Sequence, residues 1–248
     1  MLLHHSTWQE IDAYLTRSKA IIIPIGSTEQ HGPNGLIGTD ALCPEIISHE
    51  AQKDADMLVG PTFNVGCAQH HLGFAGSMTL RPSTMIAAIH DWVSSLAVHG
   101  FERVLFFNGH GGNIATINAA FSEIYADRLL AGDASNRGPV KCKLDNWWDY
   151  KPVMDMCMKT YGKSHGSHAT PSEVAVTQWA YPDSIKQAEM SPQIAPNGRY
   201  TDAADYRAKF PDGRMGSDPS LASPEDGGKL VALSAKGLQE SFATFAAS

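Results

Sequence analysis

The sequence predicts an α/β protein, a three-layer α/β/α sandwich around a mostly parallel sheet. Two observations carry this. Short continuous apolar runs, "AIIIPIG" at 20–26 and "RVLFFNG" at 103–109, end in glycine and suit strands buried on both faces. Along the chain strand-like and helix-like segments alternate, which implies a mostly parallel sheet with helices on both faces.

Taken in order, 41–54 reads as a helix and "MLVGPTFNVG" (57–66) as a second strand. "GSMTLRP" (76–82) reads as a short strand or hairpin arm. Residues 83–100 predict a helix capped by Ser83 and ended by Gly100. After the strand at 103–109, residues 113–132 predict a long helix with Asn113 as N-cap, and "VKCKLDNWW" (140–148) a strand. "PSEVAVTQWAY" (171–181) reads as a short helix; 183–223, rich in Pro, Gly and Asp, reads as irregular. Ser223 and Pro224 open a final helix. The 248 residues carry no internal repeat and are expected to form a single domain, 1–248.

The formal charge of −7 argues against a non-specific nucleic-acid or anionic-membrane surface. No apolar stretch approaches the roughly 20 residues that span a bilayer. The opening residues lack a basic n-region followed by an apolar h-region. The four cysteines, Cys43, Cys67, Cys142 and Cys157, form no C-x-x-C pair. A cytoplasmic protein with reduced thiols, no nucleic-acid partner and no membrane partner is expected.

Ligands of parallel sheets bind beyond the carboxyl ends of the strands. The chemistry-bearing residues gather there. Glu29, His31 and Asp40 follow the first strand, and "NGHGGN" places His110 after the 103–109 strand. "SHGSHATPSE" supplies His165, His168 and Glu173. Carboxylates and imidazoles without thiolates suit zinc, manganese or iron. Duller readings stand beside this one. Glu29 and His31 fit a solvated loop, Asp40 an N-cap, and "NGHGGN" an anion-binding turn. "TPSE" fits a capping box in which Glu173 reaches back to Thr170.

Over nearly its whole length the sequence resembles the creatininase (creatinine amidohydrolase) family. "PIGSTEQHGPNGLIGTD" resembles the signature P-hydrophobic-G-x-x-E-Q-H-G with its following aspartate, and "FFNGHGGN" resembles N-G-H-G-G-N. "HHLGFAGSMTLRPST" resembles H-x-x-F-P-G-T with Ala75 for Pro, and "HATPSE" resembles H-A-G-x-x-E with Thr170 for Gly. "GRMGSDPSLASPEDGGKL" resembles the family's G-x-x-G-D-P tail with Ser217 inserted.

The resemblance implies a divalent metal centre, two ions per chain of Zn²⁺, Mn²⁺ or Fe²⁺. Glu29, Asp40 and His110 would hold one ion; His31 and a bridging Asp40 would hold the other. Creatininase has a carboxylate two residues after its N-G-H histidine. Here that position is Gly112, and Glu173 is the candidate to complete the second site. Glu173 and His168 are the candidate catalytic proton carriers. Trp148, His71 and Ser77 are the candidate substrate contacts, in a pocket lined from 64–76, 145–165 and 190–220. Ser164 stands where creatininase has a mobile tryptophan, which with Gly112 argues against creatinine itself.

The implied activity is hydrolysis of a non-peptide C–N bond, in a cyclic amide or formamide of a small molecule, by a metal-activated water. Hydrolytic C–C opening of a cyclic ketone and a non-catalytic binding role are the alternatives. A phosphohydrolase would need basic residues in 24–40 and 108–113, which have none. The family also implies a homo-oligomer, a hexamer.

Overall fold

The computed structural model describes residues 1–130 and 139–248. Three strands, β1 (Ala20–Ile25), β2 (Arg103–Asn108) and β3 (Lys141–Asn146), form a parallel sheet in the order β1-β2-β3. Ile23 lies level with Phe106, and Phe106 with Leu144. The helices are α1 (Trp8–Leu15), α2 (Thr39–Ala51), α3 (Pro82–Val98), α4 (Ile114–Leu130), α5 (Lys151–Tyr161), α6 (Pro171–Ala180), α7 (Ala203–Lys209) and α8 (Pro224–Ala246).

The period-2 alternation of side chains splits the core in two. Ile22, Leu105 and Phe107 face a cluster completed by α2, α5, α6 and α8. Ile21, Ile23, Ile25, Val104 and Phe106 face a second cluster built with Tyr14, α3 and α4. Helices thus cover both faces, the three-layer arrangement expected. All six residues of β1 are buried, as its unbroken apolar run requires.

The expected strand at 57–66 lies beside β1, but only as isolated parallel bridges, Ile22 to Val59 and Ile25 to Phe63. Pro24 explains the interruption. Ile22 N–H donates to Leu58 O at 2.9 Å and Gly26 N–H to Phe63 O at 3.0 Å. Pro24, between them on the same edge, has no N–H to give.

Residues 76–82 do not form the expected strand. Their donors go to loop carbonyls instead, Met78 N–H to Thr28 O at 2.8 Å and Leu80 N–H to Gly66 O at 2.9 Å. Pro82, not a Ser83 cap, opens α3, whose N-cap position is Arg81. Asn113 is not the N-cap of α4. It is buried in a 3-10 turn, accepts Cys67 N–H at 3.0 Å and donates to Gly26 O at 2.9 Å, so it ties two loops at the end of the sheet. The expected end of that helix at 131–132 lies outside the described residues.

Helices α1, α5 and α7 were not expected. The signal for α1 was present: Thr7 and Glu10 form a capping box. The segment 183–223 is otherwise irregular, and a buried arginine holds it. Arg214, fully buried, pairs with Asp212 at 2.8 Å and donates to Pro192 O, Gln193 O and Ser217 O. The four cysteines are free. Among the described residues no helix is long and apolar enough to cross a membrane.

Replacing Arg214 with Met keeps the bulk and removes every donor. It is expected to lower the free energy of unfolding by about 1–3 kcal/mol, the cost of leaving buried carbonyl acceptors without their donor. Urea denaturation followed by tryptophan fluorescence reads this; a loss below about 1 kcal/mol would assign that segment's order to other contacts.

Candidate metal centre

Beyond the carboxyl ends of β1 and β2, side chains from separate segments converge. Glu29 and His31 come from the loop after β1, Asp40 from the first turn of α2, His110 from the turn after β2, and Glu173 from the first turn of α6. Close backbone packing brings them together. Gly109 lies so near α2 that a Cβ there would stand 1.9 Å from Asp40 O. Asn108 braces the turn by donating to His110 O at 2.7 Å and accepting His110 N–H at 3.1 Å.

Asp40 is the shared group. It is the second residue of α2, whose N-cap position is Gly38, so the capping role open to it in the sequence is not the one it fills. Its Oδ1 lies 3.0 Å from His31 Nε2 and its Oδ2 lies 2.9 Å from His110 Nδ1. Glu29 Oε2 is 3.4 Å from His110 Nε2, and Glu173 Oε1 is 3.8 Å from His31 Nε2. Glu29, Asp40 and His110 each offer a ligand atom within 4.8 Å of the others; so do His31, Asp40 and Glu173, and also Glu29, His31 and His168.

These residues fit a divalent cation. Both oxygens of Glu29 and Oδ2 of Asp40 are buried and make no well-formed hydrogen bond, though imidazole nitrogens of His71 and His110 stand 2.9–3.4 Å from them. Buried carboxylate oxygens in that condition are costly unless a cation meets them. The histidine tautomers agree. His31 donates Nδ1–H to Glu29 O at 3.0 Å, and His110 donates Nε2–H to Cys67 O at 3.1 Å. Each ring is thereby oriented by a carbonyl, with its other nitrogen toward the carboxylates, the usual arrangement of a metal-ligating histidine.

Gly112 cannot contribute a carboxylate here. A Cβ at that position would lie 2.4 Å from His110 Nε2. Glu173 stands beside His31 and Asp40 instead. Its Oε1 also accepts Thr170 N–H, completing the capping box. The capping reading and the ligand reading therefore describe the same carboxylate.

The cluster opens onto a cavity of about 460 Å³, lined also by His71, Trp148 and His168. His71 Nε2 lies 3.1 Å from Glu29 Oε1. Ser77 is not among the lining residues; its Oγ accepts Gln30 N–H at 3.1 Å, so it props the loop behind the cluster. The sequence reading assigned no role to His70, Trp147, Met154 or Tyr200, which also line the cavity, although three of its expected lining segments contain them. Tyr200 stacks on His70 with centroids 4.8 Å apart.

Burial raises the Glu29 and Glu173 carboxyls to about 7. Burial opposes charge on His31 and His110, but Asp40 and the neighbouring glutamates override it and lift them to about 10 and about 9. Burial holds His71 down at about 3 and His168 well below the ordinary range, so both rings are neutral.

The fold and this cluster define a class: an α/β protein with a buried, carboxylate-linked set of groups for divalent metal. The family model for creatininase (creatinine amidohydrolase) matches residues 4–242, and the chain belongs to the creatininase family. It is 26% identical over 218 residues, 86% of its length and 79% of the relative's, to the mycofactocin precursor peptide peptidase of Mycolicibacterium smegmatis. It is 29% identical to the creatinine amidohydrolase of Pseudomonas putida, over 43% of this chain and 44% of that one. The fold matches a manganese form of creatininase at a TM-score of 0.80, with 22% identity over 97% of this chain and 98% of that one. It matches a zinc–zinc form at 0.82, with 21% identity and the same coverage.

The raised histidines make stability without metal depend on pH. Their folded values, about 10 and about 9, exceed the ordinary 6.5, so their contribution is full below pH 6.5 and is lost as pH climbs toward 10. Chelator-treated protein is expected to melt at a lower temperature at pH 9 than at pH 6.5. Metal, which replaces those protons, should shrink the difference. Equal pH profiles with and without chelator, in a thermal melt, would contradict this.

Proposed function

We propose that this chain is a metal-dependent amidohydrolase that cleaves a non-peptide C–N bond, in a cyclic amide or a formamide of a small molecule. The observation that supports it most directly is the set of buried carboxylate oxygens on Glu29 and Asp40 that make no hydrogen bond, in a cluster whose Asp40, His110 and Glu173 line the cavity. Glu29, Asp40 and His110 would hold one cation, and His31, Asp40 and Glu173 a second. A divalent ion bound there polarises a carbonyl and lowers the pKa of water.

The chain's own groups supply the rest. His168 is neutral, with Nε2 beside Gln30 O at 2.9 Å and Nδ1 toward the cluster, 3.7 Å from Glu29 Oε1. It can accept a proton at Nδ1 and return it to a departing nitrogen, work that contributes typically 10²–10⁴-fold. Glu173, held by Thr170 N–H at the start of α6, keeps its carboxylate facing His31. Trp147, Trp148 and Met154 give the cavity an apolar wall that restricts water and favours a flat substrate group. Ser77 and His71 act through the loop and through Glu29 in this reading. The protein would work as a cytoplasmic homo-oligomer.

Peptide cleavage is the second reading, favoured by the peptidase relative that aligns over 86% of this chain. A panel of cyclic amides, formamides and short peptides, each assayed with zinc- and manganese-loaded protein, separates the two. Release of a ring-opened acid or of formate is expected. His110→Ala should lose bound metal by elemental analysis and lose turnover by at least about 10³-fold, the scale of one lost electrostatic catalytic group. Full activity in that variant, or turnover of peptides alone, would overturn the proposal.

A further inference from the structure

Gln30 lies between two members of the cluster in sequence and joins four segments of the chain in space. Its side-chain Oε1 accepts Gly32 N–H at 2.9 Å. That contact fixes the orientation of the amide, because the flipped form would set an NH₂ against another donor. Nε2 then faces three atoms, Gly213 O, His71 Nδ1 and His168 Nε2, each 2.9 Å away. It carries two hydrogens.

The count decides which atoms receive them. His168 Nε2 is also 2.9 Å from the backbone oxygen of Gln30, where a bare lone pair would be repelled. That nitrogen therefore carries a hydrogen and does not accept one. The two amide hydrogens go to Gly213 O and His71 Nδ1. His71 must then hold its proton on Nε2, 3.1 Å from Glu29 Oε1. His168 is left with a bare Nδ1 on the side of the cluster, 3.7 Å from the same oxygen. The two rings stack with centroids 4.3 Å apart and planes 25° apart, so one residue holds both, His71 through its amide and His168 through its backbone oxygen.

We propose that Gln30 is a positioning residue that sets the tautomers and ring planes of His71 and His168 from behind the metal cluster. Through its amide and His71 it turns an N–H toward Glu29, and through its backbone oxygen and His168 it turns a lone pair toward the cavity. Gly213 belongs to the same device. Its φ of +87° suits glycine, and a Cβ there would lie 1.8 Å from Gln30 Oε1, so a larger residue would evict the amide. The segment after α7 thus reaches the cluster through Gly213 O, which also accepts the Tyr206 hydroxyl at 2.9 Å.

Histidine tautomers can be read directly, without substrate. Long-range ¹H–¹⁵N spectra of the zinc-loaded protein, assigned with His71→Asn and His168→Asn, are expected to show both rings neutral with the proton on Nε2. An Nδ1–H form of either ring would overturn the proposal. Gln30→Glu keeps the volume and turns the donor into an acceptor. It is expected to move the His71 proton to Nδ1 and to weaken zinc binding about 10–100-fold, the usual cost of losing an outer partner of a metal site. An unchanged His71 tautomer with unchanged zinc affinity would also overturn it. If Gln30→Glu fails to fold, Gly213→Ala displaces the amide from the other side and is judged by the same two readouts, and the wild-type spectrum decides on its own.

Discussion

The site depends on one contact, the Asp40 carboxylate set between the imidazoles of His31 and His110. It joins the loop after β1 to the turn after β2 through the first turn of α2. Each partner is buried, so none can rely on water for its charge. The carboxylate and the imidazoles must therefore be balanced locally, by protons or by cations. That requirement accounts for the depressed Asp40 and the raised histidines, and for Glu29 oxygens whose neighbours are imidazoles rather than water. A cluster so arranged sacrifices stability in the absence of metal and gains affinity for it.

Much of this was legible in the sequence because it follows from local pattern. The apolar runs at 20–26 and 103–109 suit buried strands, and their alternation with helical segments implies parallel pairing. Glu29, His31, Asp40 and His110 were visible because reactive residues after parallel strands share one edge of the sheet. What escaped depended on partners far along the chain. Residues 76–82 have strand-like composition, but the Met78 and Leu80 N–H groups are taken by Thr28 O and Gly66 O, which no local rule reveals. Asn113 has the chemistry of an N-cap, yet two loops compete for its amide and win. Gln30 has no local signal of its role, which exists only when His71, His168 and Gly213 surround it.

The two readings of Glu173 show how a local rule and a site can share one residue. The capping box fixes the side chain at the N-terminus of α6, where the helix dipole favours a carboxylate. Fixed there, it also faces His31. The helix start thus does for Glu173 what the carbonyls of Glu29 and Cys67 do for the two histidines: it settles orientation before any ligand arrives. At Gly112 the crowding against His110 closes the other route by which a carboxylate could enter.

Floor and walls of the cavity come from different sources, and they constrain different things. The floor is built from the loops at the strand ends and the first turns of α2 and α6, and it sets which groups can meet a metal. The walls come from the 3-10 turn at His70 and His71, from the approach to α5 at Trp147 and Trp148, and from the irregular chain that carries Tyr200 and Met215. Loops can change without disturbing the strand ends, and relatives named as a peptidase and a creatinine amidohydrolase are compatible with such a division. Gln30 spans that division. It is anchored on the floor by Gly32 and reaches the wall segment at Gly213, so a change in that segment would alter the histidines at the metal cluster without touching a ligand.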